Sequence, residues 1–572
     1  MKNGALESVG RSGRVEHFMR CWCWAEGVSC RRAVVAAVLL LWAQSAGAQV
    51  SLRWNPGAPP PNPPVGGNGV WDTTTANWWD GAGNVRWGNV NFDSAVFGGP
   101  AGGQVLVDEV VKVGELSFAT DGYEVMQCVL APGATGLQLG RSVAPLDYVR
   151  VFVSGPNSTA TISEKISGDV GLQMRERGTL KLTGANTFTG GLSVALGTVM
   201  VRGNSTVDMT SGLILRGPLG TGNADIRLLD VSTTSKMLID GVYNISNDID
   251  VGAANSQNPA VGKRLVLGAT KNSGLDEVGG AEYTGTVTLT KDTDFVAENG
   301  FTETAPVKFL RGRALFSGNV TGAGRLNITG GGDIILNRLA GNSYTGDTTV
   351  QPFSRLLVRS NGAGSATGAG NILVDGGSLV TWRDLDIVPS RGRAYLSGRV
   401  TVTGGVLSAG VLSADSFLEG QNTGRGGFLS VRSLTMDRNA MFKAAIGGTQ
   451  AGVNYSQVEV RGAVDITNAM LNLSLGFAPT ADGQKFFILL NNGADPVVGE
   501  FAGMPDGFQF FLGFMGISYP FRINYTGDST INPPTSTGGK NIVLTYIPAP
   551  GTGLVAVLVG VVPFSTRRRR MV

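Results

Sequence analysis

Beyond residue 48 the chain contains no histidine and a single cysteine, Cys128; His17, Cys21, Cys23 and Cys30 all precede that point. A Cys/His zinc site takes about four ligands, and a Ser-His-Asp or Cys-His nucleophile needs its imidazole, so neither can be assembled there. Cys128 has no partner for an intramolecular disulfide and is expected as a buried small hydrophobe. Cys21-Trp22-Cys23 has the spacing of a metal or redox pair but lies in a segment expected to be discarded. The chain also lacks a P-loop, a GxGxxG loop and a dense acidic cluster able to hold calcium. Gly66-Gly67-Asn68-Gly69-Val70-Trp71-Asp72 departs from the calcium nonapeptide spacing and occurs once. No cofactor and no metal are expected.

The two ends carry what the middle lacks, long apolar runs flanked by arginine. Arg31-Arg32, the apolar stretch Ala33 to Ala43 and Ala46-Gly47-Ala48 have the order of a secretory signal peptide. Cleavage is expected after Ala48, with Ala46 and Ala48 read by signal peptidase and Gln49 as the new N-terminus. At the other end, Pro548-Ala549-Pro550 precedes an apolar stretch from Gly551 to Phe564 and the arginines Arg567, Arg568, Arg569 and Arg570. Arginines behind an apolar run read as a cytoplasmic stop. The 46 Lys+Arg and 43 Asp+Glu of the whole chain become 36 against 40 once both ends are removed. The apparent basicity therefore belongs to the sorting segments, and nucleic acid is not an expected partner.

Between the ends, 85 glycines punctuate short alternating segments, the pattern of an all-β chain. The clearest unit is Gly178 to Arg202, GTLKLTGANTFTGGLSVALGTVMVR. Leu180 and Leu182 alternate with polar neighbours, as do Leu192, Val194 and Leu196, then Val199 and Val201. Three short faces and two corners in about 25 residues suit one coil of a β-solenoid, stacked on its neighbours at ~4.8 Å. Asn186-Thr187-Phe188-Thr189-Gly190 recurs as Asn342-Ser343-Tyr344-Thr345-Gly346, and Tyr283-Thr284-Gly285 is a weaker echo. The asparagines are expected in the left-handed conformation at a corner, with Gly190 and Gly346 where a side chain would clash. Phe188 and Tyr344 are expected as plugs over the corner, with a ligand-facing role as the alternative.

LTGANTFTGGLSVALGTVMV resembles the autotransporter-associated β-strand repeat of bacterial surface and secreted proteins. Trp71 to Gly99 resembles the cap that precedes such repeats, and Val431 to Gly507 resembles the end of the same passengers. The resemblance implies an all-β, right-handed parallel β-helix. The tail resembles a PEP-CTERM sorting signal, which implies an exosortase-type processing enzyme as a partner. Ala549 stands where that signal usually has glutamate.

The expected organisation is a signal peptide (1–48), a Pro/Gly-rich lead (49–68), an aromatic-rich cap (69–130), a repeat body (131–415), a C-terminal β segment (416–545) and an apolar sorting or membrane helix (546–572). At 20–25 residues per coil, the body and terminal segment make a rod on the order of 80–100 Å. Trp71, Trp78, Trp79 and Trp87 crowd the cap. They are expected to plug the first rung; Trp78 and Trp79 as contacts for an extracellular polysaccharide are the alternative. Trp382-Arg383-Asp384-Leu385-Asp386 offers the pair of carboxylates that glycoside chemistry requires, though aspartates at this spacing more often form a solvated face. The expected function is a non-enzymatic, exported rod, displayed on the cell surface or released, for adhesion or matrix formation; it is carried by other export machinery, and its tail is either a processed sorting signal or a membrane anchor. The alternative is a lyase, glycoside hydrolase or carbohydrate-binding protein on the same fold, for which a strip of carboxylates with arginine or lysine would speak.

Overall fold

The computed structural model describes residues 49–57, 64–129, 134–141, 148–253, 256–258, 260–274, 280–301, 309–381, 393–409 and 426–547. Among them the regular structure is strand throughout, apart from one 3-10 turn at Lys271–Gly274. Successive strands are dealt in rotation to three sheets. Ile166–Gly168 joins a three-stranded sheet, Gly171–Met174 a twelve-stranded one and Thr179–Leu182 a fifteen-stranded one. Farther along, a nine-stranded sheet from Asn244–Ile245 to Met470–Leu475 supplies one of the three faces. Strands within a face pair in parallel, as in the row Thr179, Thr198, Lys236, Val266, Asp294. This is a parallel β-helix.

Alternation in the sequence becomes stacking in the core. Leu180 lies over Val199, Met237 and Leu267, while Leu182 lies over Val201, Ile239 and Ala269, all buried. Each such side chain contributes about 1.5–3 kcal/mol on burial, and none could do so without the rungs on either side. The resulting core is one continuous cluster from Leu52 to Leu544.

Two expectations need correction. Thr179–Leu182 and Gly197–Val201 are neighbours in one sheet, so Gly178 to Arg202 covers more than one coil. The fifteen strands of the longest sheet, at ~4.8 Å each, span about 70 Å, less than the sequence estimate. Coils lengthen without adding rungs: Thr198 pairs with Lys236 because a hairpin, Thr206–Val207 with Ile214–Arg216, is inserted between them.

The N-terminal end is closed by aromatic packing. Trp78 touches Trp54, Trp71 and Trp87 at centroid distances of 5.0, 5.1 and 4.6 Å, and Phe97 closes the cluster at 5.6 Å from Trp78. Trp54 lies in Ser51–Trp54, a strand inside the segment read as a Pro/Gly-rich lead. The short strand Trp78–Trp79 pairs antiparallel with it and interrupts parallel growth. Trp54 and Trp87 donate their indole N–H to Gly67 O and Lys112 O. The indole N–H groups of Trp71 and Trp78 have no hydrogen-bond acceptor, and the two rings meet edge to face. Trp78→Ala should therefore cost about 3–5 kcal/mol by emptying the centre of the plug. Thermal melts should show a much smaller loss for Trp79→Ala, whose side chain is only half-buried.

The C-terminal end closes differently. Lys485–Asn491 is the last parallel strand of its seven-stranded sheet, and Asn541–Tyr546, Ile517–Gly527 and Gln509–Phe514 follow it as antiparallel strands. Among the described residues no helix is long and apolar enough to cross a membrane. Ala46, Ala48, Pro548, Ala549, Pro550, Arg567, Arg568, Arg569, Arg570 and the carboxylates of Asp384 and Asp386 lie outside the described residues.

Candidate functional site

The repeat motif is built by one asparagine side chain on each copy. Asn186 Oδ1 accepts the Ile166 N–H at 2.9 Å, and its Nδ2 donates to Pro218 O at 2.8 Å. Asn342 repeats this with Val320 N–H at 2.9 Å and Ala366 O at 2.7 Å. The backbone agrees: Thr187 and Thr189 donate to Ile166 and Gly168, and Ser343 and Thr345 donate to Val320 and Gly322. Each amide thus spans three levels of the helix. Neither asparagine has a positive φ, which corrects the expected left-handed corner. The αL positions belong instead to Gly220 and Gly368 on the next level, where a Cβ would meet the Phe188 and Tyr344 carbonyls. At Gly190 and Gly346 a Cβ would overlap the backbone of Gly171 and Gly324. Phe188 and Tyr344 are fully buried, so a ligand-facing role is ruled out for both. Tyr344 OH is bonded to Thr348 Oγ1 at 2.7 Å, and burial pushes its pKa up.

Asp333 was not anticipated from the sequence. Its carboxylate is 1% exposed and receives Arg311 Nε and Arg355 Nε at 2.7 Å on Oδ1, and Arg355 Nη2 at 2.7 Å on Oδ2. Arg313 Nε lies 3.7 Å away. Burial alone would raise the Asp333 pKa, but the hydrogen bonds and charges of Arg355 and Arg311 outweigh it and hold the carboxyl below the usual range. Arg313, Asp333 and Arg355 occupy one cross-strand row on three successive rungs. The arrangement is an electrostatic clamp between levels rather than a reactive acid.

The outer face of the twelve-stranded sheet carries an organised polar strip. Arg150, Gln173, Ser193, Asp225 and Asp250 form one row. Gln173 Nε2 donates to Ser193 Oγ at 3.2 Å, and Ser193 Oγ donates to Asp225 Oδ1 at 3.0 Å. Arg227 grips both Asp225 oxygens at 2.6 and 2.7 Å, and the hydrogen bond raises its own pKa, securing its charge. Arg175 donates to Gln173 Oε1 at 3.1 Å; burial and neighbouring Arg150 lower its pKa. Glu115 is in register with Arg150 at the strip's near end. Carboxylates and arginines therefore do share a strip, the feature that would speak for an enzyme. Its central acid, Asp225, is already committed to hydrogen bonds from Ser193 and Arg227.

Of the two tryptophans considered for sugar contact, Trp78 is fully buried and presents no face; Trp79 is half-buried, in a strand flanked by Ser51–Trp54 and the edge strand Asn84–Val85. Cys128 is half-buried and free rather than buried. Among the described residues no group of three His, Cys, Asp or Glu could hold a metal ion.

No family model matches the chain. Over 147 residues it is 34% identical to the adhesin BmaC autotransporter of Brucella suis biovar 1 (strain 1330). That alignment covers 25% of this chain and 4% of the adhesin, so the chain matches only a small part of that protein's length.

Proposed function

We propose that the chain is an exported, surface-displayed or released structural rod of adhesin type, working through repeated weak contacts along its length. The observation that carries this reading is the uninterrupted parallel core with a built closure at each end. Such a body is stiff and presents the same kinds of side chain at a fixed rise, which suits multivalent attachment. The partial likeness to an adhesin supports it. Gln173, Ser193 and Asp225 at the centre of the strip are buried, so its first candidate contacts for a hydroxyl-rich partner such as an extracellular polysaccharide are the half-buried Arg150, Arg175, Arg227 and Asp250 around them. Gln49, the expected new N-terminus after signal peptidase, is exposed and just precedes the first strand. The tail then serves either a sorting enzyme or a membrane anchor.

The test combines retention and turnover. Full-length protein is immobilised and challenged with a panel of bacterial matrix polysaccharides, with released oligosaccharides measured in parallel. Retention without release is expected. Arg175→Ala with Arg227→Ala should weaken retention at least tenfold, since each charged hydrogen bond contributes about 1.5–3 kcal/mol. Release of unsaturated or reducing ends would instead establish the enzyme reading. Mass spectrometry of both termini from cells and medium checks the processing steps.

A further inference from the structure

The hairpin formed by Gln509–Phe514 and Ile517–Gly527 exposes apolar side chains with no compensating charge. Phe508 is 38% exposed, Phe511 69%, Met515 85% and Ile517 56%. From Gln509 through Phe521 no residue is charged. The turn itself is unusual. Phe514 faces Ile517, so Met515 and Gly516 form a two-residue turn with φ of 48° and 76°. Asn-Gly is the preferred pair for such a turn. Methionine there is disfavoured both by its backbone and by its exposure to water. Contact with an apolar medium accounts for it.

Where the chain goes next indicates which medium. Asn541–Tyr546 runs antiparallel to Ile517–Gly527, with Tyr546 opposite Phe521, and the Ile547 N–H bonds Pro520 O at 3.0 Å. The last described strand thus heads along the hairpin toward its tip. Four residues after Ile547, the apolar stretch Gly551 to Phe564 begins, followed by the arginines from Arg567. We infer that the Phe511–Met515–Ile517 tip inserts into the interfacial layer of a lipid bilayer, beside the point where the apolar stretch would enter it. Edge pairing with a second copy of the chain fits less well. Gln509–Phe514 is the free edge of its sheet, but pairing there would leave Met515 and Ile517 at the tip still in water.

The experiment is hydrogen exchange on the full chain with and without vesicles of phosphatidylethanolamine and phosphatidylglycerol. Amides 509–519 should slow by about tenfold when vesicles are added, as expected for transfer of a few apolar side chains into lipid. The variant Met515→Asn suits the turn, so it should melt at or above the wild-type temperature. Combined with Phe511→Ser and Ile517→Thr, it should abolish the vesicle-dependent slowing while the tail still carries the protein to the vesicles. Co-sedimentation with no change at 509–519 would overturn the inference. So would slowing that needs only high protein concentration, which would identify a second copy as the occupant.

Discussion

Asp333→Asn should destabilise the β-helix by about 3–5 kcal/mol, the cost of removing one member of a buried ion pair while its partners stay. The substitution keeps the size of the side chain and removes the charge that Arg311 and Arg355 hold at 2.7 Å. Urea denaturation followed by circular dichroism measures the loss. The same residue predicts an acid limb. Its folded pKa lies below the ordinary 3.8, so its stabilising contribution is complete above that value and disappears as pH falls through the lower, folded one. Melting temperatures of the wild type should therefore drop steeply below about pH 4, and those of Asp333→Asn should drop less over the same interval. Equal slopes would mean that other carboxylates govern acid unfolding.

How far the fold could be read depended on the distance over which its signals act. The strands announce themselves within five residues: Leu180 and Leu182, or Val199 and Val201, alternate visibly and point into the core. The tryptophan plug was also legible, because Trp71, Trp78 and Trp87 lie close in sequence. Trp54 was obscured by its proline-rich surroundings, although it packs against Trp78 at 5.0 Å. The clamp at Asp333 and the strip at Asp225 were invisible for another reason. Their members are one coil apart, and coils differ in length: Gln173 to Ser193 is 20 residues, whereas Ser193 to Asp225 is 32. No fixed period connects the strip, and in the clamp Arg311 and Arg355 each stand 22 residues from Asp333, beyond the reach of any local pattern. A usable signal did exist for the asparagines. Ile166-Ser167-Gly168 and Val320-Thr321-Gly322 precede them by 20 and 22 residues, and aligning those lead-ins would have placed each asparagine directly above the strand whose N–H its side chain accepts.

The buried asparagines allow the sharpest separation of two physical accounts. If Asn186 stood at a corner because asparagine tolerates a left-handed backbone, Asn186→Gly would be neutral or favourable. The structure assigns its value to the side chain, which satisfies Ile166 N–H and Pro218 O in a fully buried setting. Removing it strands one donor and one acceptor, each at about 1–3 kcal/mol. Asn186→Gly and Asn186→Leu should therefore both destabilise by roughly 2–6 kcal/mol. Asn186→Asp should not rescue, because it keeps the acceptor, loses the donor and buries a charge. Asn342→Leu should match, through Val320 N–H and Ala366 O. The two sites share no partners, so the double variant should lose close to the sum in a urea titration. A glycine variant as stable as the wild type would return the asparagine to a purely conformational role.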